Sequence, residues 1–555
     1  MNNKTAAANL WSKINSIDWK LLIFLLLFLD VKLWVKIAAI ILIFALRFDL
    51  KFEFRLKGSR LPLFYPLVIA IGIFNWLISG YITNFNYDLV VLSGILFWGL
   101  CILAIHQVKL SVEKNDVETI HRTILVFFIL NAIVSLTVYA GIIIETGHIN
   151  PYRYQGNYQK YFIGTGDYIK GITLDTSTTN AVLNAFGVIY YLGRKKYVMV
   201  LLCMAVLLLT GSNISNLFLC GIMTFMFIFQ SSKEQKSIMI VCLVMLVIFM
   251  ARISPQNNIY VATAWKKLFN EKYERNYLTP RVVPIIERPD STLNSDEKKQ
   301  KIAQLYLDSL SQLSIKKDNP VAAVKETAVK PVIKFAEKPV IPKDSIHTPT
   351  FQHKNDTTVV EKKLLEFIAE EPNEALIAAK KREKLKFPGK IIAMQQTFHY
   401  FKAHPWKLFT GTGIGNFSSK LAFRVTGMSV GGGYPSKYSY INEDFERNHF
   451  DLYLYYFTSK DGLHSLIHNP NSTYDQLLSE YGLAGLLSII FFYFGFFVKR
   501  TKGQKYALPL LLFMAANFSI DYWFEQLSVV IFFELLIFIN IKESSDNTIY
   551  EREGS

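Results

Sequence analysis

Cysteine is scarce in this chain. Only four occur in 555 residues, Cys101, Cys203, Cys220 and Cys242, and each lies inside an apolar run. That excludes a disulfide framework and a cysteine-based metal site. The histidines show no ligand spacing, so neither a metal nor a cofactor is expected. Acidic residues are outnumbered, 44 against 60 Lys and Arg, which leaves a net charge of +16. In a soluble protein that excess would point to nucleic acid. Here Lys and Arg in short cytoplasmic loops account for it, so no nucleic-acid partner is expected. Also missing is any internal repeat, the usual mark of a secondary transporter. No small-residue cleavage site follows the first apolar run, so that segment is expected to stay in the protein.

What is present is apolar length. Blocks run roughly over 19–30, 33–49, 62–80, 88–106, 122–144, 178–193, 197–211, 213–230, 237–253, 472–498, 506–520 and 524–541. Long apolar blocks of this kind are candidate spans. The expected fold class is an all-α polytopic membrane protein of about 12 transmembrane helices, with the first two short enough to form a re-entrant or tilted hairpin. Charge tests the orientation. With the N-terminus cytoplasmic, the inner loops carry Lys51, Arg55, Lys57 and Arg60; Lys109, Lys114 and Arg122; Arg194, Lys195 and Lys196; Lys233 and Lys236; and Lys499, Arg500, Lys502 and Lys505. The short outer loops around 81–88, 211–213 and 520–524 carry no Lys or Arg. Every short loop obeys the positive-inside rule.

The expected organisation is a bundle of about nine spans over 1–253, a large, partly helical periplasmic loop between the ninth and tenth spans, three spans over 472–541, and a cytoplasmic tail over 542–555. Within the loop, 254–387 is rich in Lys, Glu, Pro and Val, as in Ala328 to Lys343, and is read as flexible. Aromatic and Gly residues return over 388–471, which is read as folded on the membrane surface. The expected location is the bacterial inner membrane, multi-pass, with both termini cytoplasmic.

The stretch from His468 to Leu486 is the most informative. Ser472-Thr-Tyr-Asp475 reads as a capping box opening the next span. That puts His468 just outside a helix N-terminus, where free backbone N–H groups and the positive dipole end suit a phosphate. An imidazole beside it can take a proton from an incoming hydroxyl. The plainer alternative is an ordinary interfacial His before a cap. Glu480, two turns into that helix, is positioned either to orient a His or a basic residue or to pair with a neighbouring helix. Gly411-Thr-Gly-Ile-Gly-Asn416 looks superficially like a phosphate loop but is read as a tight turn. Glu534, inside the last span, is expected to face the bundle.

The His-Asn … Tyr-x-x-Leu-Leu-x-Glu-Tyr-Gly-Leu-x-Gly-Leu pattern resembles the O-antigen ligase and polymerase superfamily, in which it closes the large periplasmic loop. Gly389 to Pro405 followed by Phe409 to Phe417 is similar to that family's helix and Gly-rich turn, and Leu207 to Asn213 is similar to its seventh-to-eighth span turn. The resemblance implies metal-independent, inverting glycosyl transfer from an undecaprenyl-diphosphate-linked glycan donor to an acceptor hydroxyl on a lipid, a glycan or a protein, in contact with membrane lipids. It implies a loop His as base and basic residues on the diphosphate. The chain departs from the pattern in three places. Asn213 and Lys390 stand where Arg is usual, and Asn471 holds the position of the usual His. His468 is therefore the first choice of base, with His464 the second. Lys390 is the family-matched diphosphate ligand; Arg424, Arg447, Arg153 and Lys170 are the replacements for the missing Arg. An O-antigen or exopolysaccharide polymerase, or a protein O-oligosaccharyltransferase, fits equally. Outside this class the alternatives are a lipid-linked glycan flippase and a loop that merely recruits partners.

Overall fold

The computed structural model describes residues 16–78, 84–153, 166, 168–254, 286, 301, 305, 389–426, 434–450, 452, 469–501 and 506–553. Side chains are described for these except at 153, 436 and 546–553. The readings placed on His464, His468 and the Lys/Glu/Pro-rich part of the loop fall outside the described residues.

Among the described residues the regular structure is entirely helical. Every apolar block carries a helix: α1 (Trp19–Phe28), α2 (Leu33–Leu46), α3 (Phe64–Ile78), α4 (Phe85–Lys114), α5 (Val117–Thr146), α6 (Ser177–Gly193), α7 (Tyr197–Leu209), α8 (Asn213–Phe229) and α9 (Lys233–Ile248) in the first part. The segment before the last three blocks supplies α10 (Gly389–Ala403), α11 (Lys407–Thr410), α12 (Lys420–Arg424) and α13 (Glu443–Asn448). Then follow α14 (Thr473–Ser488), α15 (Ala507–Asn517), the short α16 (Trp523–Gln526) and α17 (Ser528–Glu553). Among the described residues four helical stretches are long and apolar enough to cross a membrane: Phe85–Lys114, Val117–Thr146, Lys233–Ile253 and Thr473–Val498. The ten residues of α1 and fourteen of α2 reach only about 15 and 21 Å. Neither matches the ~30 Å hydrocarbon thickness alone.

Local chemistry sets the helix ends. Asn84 accepts the Asn86 and Tyr87 N–H groups at the start of α4, and Asp116 accepts Thr119 N–H at the start of α5. Gly147, in the left-handed region at φ 67°, stops α5. Two helices are apolar and buried nearly all round. Residues 177–192 of α6 and 529–540 of α17 lie inside the bundle, and the remaining helices wrap them.

The basic residues collect at one end. Arg47 donates to Gln107 and Ser111, Arg60 pairs with Glu113 at 2.5 Å, Arg500 donates to the Ser59 carbonyl at 2.9 Å, and Arg194 and His121 meet Glu543. Tyr506 closes that last group with a 2.7 Å bond to Glu543. The opposite end carries the joins made by the 389–471 segment, Asn86 to Ser439 and Lys390 to Asn471 and Ile520, and beside them Thr473 N–H bonds to the Phe518 carbonyl.

From that second end the Gly411–Phe417 turn plunges into the bundle between α3, α4 and α14. Ile414 is the knob and two helical glycines make the hole: a Cβ on Gly72 would clash with Ile414 Cδ1, and one on Gly94 with Ile414 Cγ2. The backbone of Gly411 lies against Glu480, and Gly482 lies against Phe409, so close that neither tolerates a Cβ. Gly482 breaks α14 with φ 67° and ψ −165°, which a larger residue adopts only under strain.

Gly94→Ala should destabilise the protein by about 1–3 kcal/mol through overpacking, read as a lower unfolding temperature in detergent. Adding Ile414→Ala should give less than the sum of the two single losses, because the smaller knob vacates the space the new methyl needs. Strictly additive losses would show that the two residues do not meet.

Candidate functional site

Glu480 organises the inner part of the site. Its side chain is buried, and its carboxylate oxygens accept Gly415 N–H at 2.9 Å and Phe417 N–H at 3.3 Å. Asn416 N–H, bonded to the Gly413 carbonyl at 3.3 Å, and the Ser419 hydroxyl lie within electrostatic reach of the carboxylate. The Gly-rich turn does present a ring of N–H groups, as phosphate loops do, but the protein's own carboxylate occupies it. Its three glycines have positive φ, 83°, 100° and 69° at Gly411, Gly413 and Gly415, which is what curls the donors inward. Asn416 anchors the turn further by donating to the Tyr87 hydroxyl at 2.9 Å, while Thr412 and Gly413 N–H bond to the Ser479 and Glu480 carbonyls.

The turn delivers α12. Ser419 caps it by accepting Ala422 N–H, and Lys420 and Arg424 then stand one helical turn apart. Both lie within electrostatic reach of Glu525 on α16. Glu525 accepts Leu421 N–H at 3.0 Å on one oxygen and the Gln476 amide at 2.5 Å on the other. A small pocket opens between Glu480 and Glu525, walled by Trp98, Ile414, Leu421 and Phe524. Lys36, buried on α2, approaches from the other side. Its ammonium donates to the Phe28 carbonyl at 2.8 Å and the Ser528 hydroxyl at 2.7 Å, within electrostatic reach of Lys420, Asp30 and Asp175. Among the described residues Lys420 and Arg424 form no salt bridge, and the buried Nε of Arg424 has no hydrogen-bond partner.

A second polar group sits at the mouth, where α14 begins. Lys390 donates to the carbonyls of Asn471 and Ile520, the latter at 2.5 Å, with Asp521 and Asp475 close by. Burial pushes Lys390 down to about 7, against the pull of Asp521 first and Asp475 second. Asn471, which holds the position of the family's His, donates to Asp521 at 3.2 Å; Asn469 accepts Asn471 N–H at 2.7 Å. His468 immediately precedes that turn. The capping box forms only by half. Ser472 accepts Asp475 N–H at 3.5 Å, but the Asp475 carboxylate turns away to take the Thr397 hydroxyl at 2.8 Å. Asp is one methylene shorter than the Glu or Gln of a full box, and a better donor stands on α10. The 518–528 turn touches both groups, since Gln526 donates to Asp521 at 2.6 Å and Ser528 receives Lys36.

The residues singled out from sequence are therefore distributed unevenly. Glu480 and Arg424 belong to the inner group, and Lys390 to the mouth, with its ammonium already engaged by carbonyls. Arg447 is exposed on α13, and Lys170 is half-buried beside the 171–173 turn. Arg153 ends a short turn at 151–153, its side chain outside the described residues. Lys36, Lys420, Asp521 and Glu525 were missed. Lys36 gave the one available signal, a lysine inside an apolar block; the others are ordinary loop charges until the fold gathers them. His449 was missed too. It is buried, stacked on Phe417 at 5.2 Å and bonded to Gln396 at 2.9 Å, which ties α13 to the Gly-rich turn and to α10. Glu534 faces inward as expected, accepting the Tyr65 hydroxyl at 2.5 Å.

Comparison with protein-family models, with curated proteins and with solved structures finds no match to this chain.

Two outcomes test this geometry. Glu480→Gln turns an NH2 group toward backbone donors and should cost about 3 kcal/mol in unfolding experiments; an unchanged midpoint would remove Glu480 from the centre of the turn. Burial holds His449 at about 3, well below its ordinary value. The unfolded segment binds the extra proton between about 6.5 and 3, so stability is complete above that window and is lost as pH falls through it. Hydrogen-exchange protection of residues 443–450 should therefore drop from pH 7 to pH 4 in wild type, and drop less in His449→Phe, which keeps the stack on Phe417. Equal losses would exclude His449 as the cause.

Proposed function

We propose that this chain transfers a glycan from an undecaprenyl-diphosphate carrier to an acceptor hydroxyl on the outer face of a bacterial inner membrane. The observation that carries the reading is the pair Lys420 and Arg424. Two cations one turn apart, with no ion-pair partner among the described residues, are held at the bundle's loop end by the turn that resembles the O-antigen ligase family. Departure of a lipid diphosphate from the sugar carbon needs only compensation of the charge that develops on the bridging oxygen. Arg and Lys supply it with charge-assisted hydrogen bonds. Glu525 anchors α12 through Leu421 N–H and places a negative charge within electrostatic reach of both cations, and Lys36 adds positive charge within reach of Lys420.

In the reaction, the acceptor oxygen forms a bond to the anomeric carbon as the bond to the diphosphate breaks. The acceptor proton passes to a base, and the carbon inverts. His468 is the preferred base and His464 the second choice, because Asn471 cannot accept a proton at the family position. Lys390 then serves the site by holding the Asn471 and Ile520 carbonyls together, and Arg424 replaces it as the leading diphosphate ligand.

The test is glycan transfer in proteoliposomes from an undecaprenyl-diphosphate donor, offering lipid core, free repeat unit and an exported protein as acceptors. Arg424→Ala and Lys420→Ala should each lower kcat/KM by roughly 10- to 100-fold, the cost of one charge-assisted contact. His468→Ala should lower kcat by about 100-fold or more, and the acceptor that is used decides between ligase, polymerase and oligosaccharyltransferase. Donor crossing the bilayer without transfer to any acceptor would replace the reading with a flippase.

A further inference from the structure

The turn joining α10 to α11 exposes large apolar side chains where a loop outside the membrane would be expected to hide them. Trp406 is 56% exposed, Phe409 64% and Phe398 55%. Their depth follows from what they are bonded to. Phe409 rests against Gly482, which lies sixteen residues before Val498 on the stretch Thr473–Val498, or about 24 Å from that end. Lys499 and Arg500 follow at once, so Val498 marks the edge of the hydrocarbon on the basic side. In a core ~30 Å thick, Gly482 then lies some 6 Å inside the opposite edge. A second helix agrees. Ile414 seats on Gly94, fifteen residues before Lys109 on α4, about 22 Å from that basic residue.

Side chains from this level toward the middle of the bundle look outward too. Phe491 and Leu487 on the α14 stretch are 62% and 45% exposed, and Phe74 on α3 is 53% exposed. The apolar surface of the turn thus continues a surface that only lipid can cover. Its charges fit the same place: the Lys407 ammonium lies 4.6 Å from the centre of the Trp406 ring, and Lys402 ends α10. A Trp with flanking lysines is the composition of the headgroup boundary, where the ring lies among glycerol groups and ammonium groups reach lipid phosphates.

We propose that Trp406–Phe409 is a wedge seated in the lipid leaflet at the loop end of the bundle, with Phe409 in the acyl region and Trp406 and Lys407 at the headgroups. The partner is the phospholipid leaflet itself. This reading does not depend on the transfer reaction. It adds a physical consequence: the segment leading to Lys420 and Arg424 is gripped by lipid at Trp406–Phe409 and by α3, α4 and α14 at the Gly411–Phe417 turn that follows.

The full chain in lipid nanodiscs provides the test, with a nitroxide attached to Phe409→Cys or Trp406→Cys and the labelled native protein as background. Collision with dissolved oxygen is compared with collision with a water-soluble nickel chelate. Phe491→Cys serves as the lipid reference and Arg447→Cys as the water reference. The expected oxygen-to-nickel ratio at 409 matches position 491 and exceeds that at 447 several-fold, with 406 between them. A ratio at 409 equal to that at 447 overturns the wedge, and so does shielding from both agents, which would mean protein covers the turn. Should Phe409→Cys fold poorly, Phe398→Cys decides the matter. A ratio between the two references supports the wedge, and a fully aqueous ratio overturns it.

Discussion

A buried carboxylate inside a ring of backbone donors holds this molecule's loop end together. Glu480 on α14 and the N–H groups of the Gly411–Phe417 turn satisfy each other in the buried interior. Neither partner tolerates loss of the other. An unpaired carboxylate in such surroundings costs several kcal/mol, and so do several orphaned N–H groups. The pairing therefore fixes the depth and direction of the turn, and everything the turn carries inherits that precision: Ile414 in its glycine hole, Ser419 as a helix cap, and α12 with Lys420 and Arg424.

This makes the charge-bearing part of the loop end an element inserted between the long helices rather than a face of them. The helices contribute absences. Gly72, Gly94 and Gly482 remove side chains where the turn must pass, and Gly482 also breaks α14. The short α16 between α15 and α17 then supplies Glu525 to the inner group and, through Asp521 just before it, the mouth group. Two clusters of charge thus share one structural support. In the proposed reaction the diphosphate sits at the inner cluster and the incoming hydroxyl approaches by the mouth, where Lys390 holds the Asn471 and Ile520 carbonyls together.

Much of the helical architecture was legible in the sequence. Each apolar block became a helix, because apolar length leaves the backbone no better way to satisfy its own hydrogen bonds. The basic loops did gather at one end, and Glu534 did turn inward. The Gly-rich stretch read as a turn, and it is one. Where local reasoning fell short, a tertiary partner intervened. Asp475 was assigned to its own helix cap but bonds to Thr397 seventy-eight residues away. Lys390, which the resemblance implies as a diphosphate ligand, is bonded to the Asn471 and Ile520 carbonyls.

The sequence by itself determined which segments are helical and which loops are basic, since these follow from hydropathy and charge read over a few neighbouring residues. Only the tertiary structure decided that Glu480 fills the Gly-rich turn, that Lys390 is bonded to carbonyls while Arg424 forms no salt bridge among the described residues, and that Lys36 and Glu525 both lie within electrostatic reach of Lys420. Those facts rest on contacts between residues up to several hundred positions apart. Whether a charged side chain is free or engaged depends on which carbonyl or carboxylate the fold brings within about 3 Å of it, and no local pattern encodes that distance.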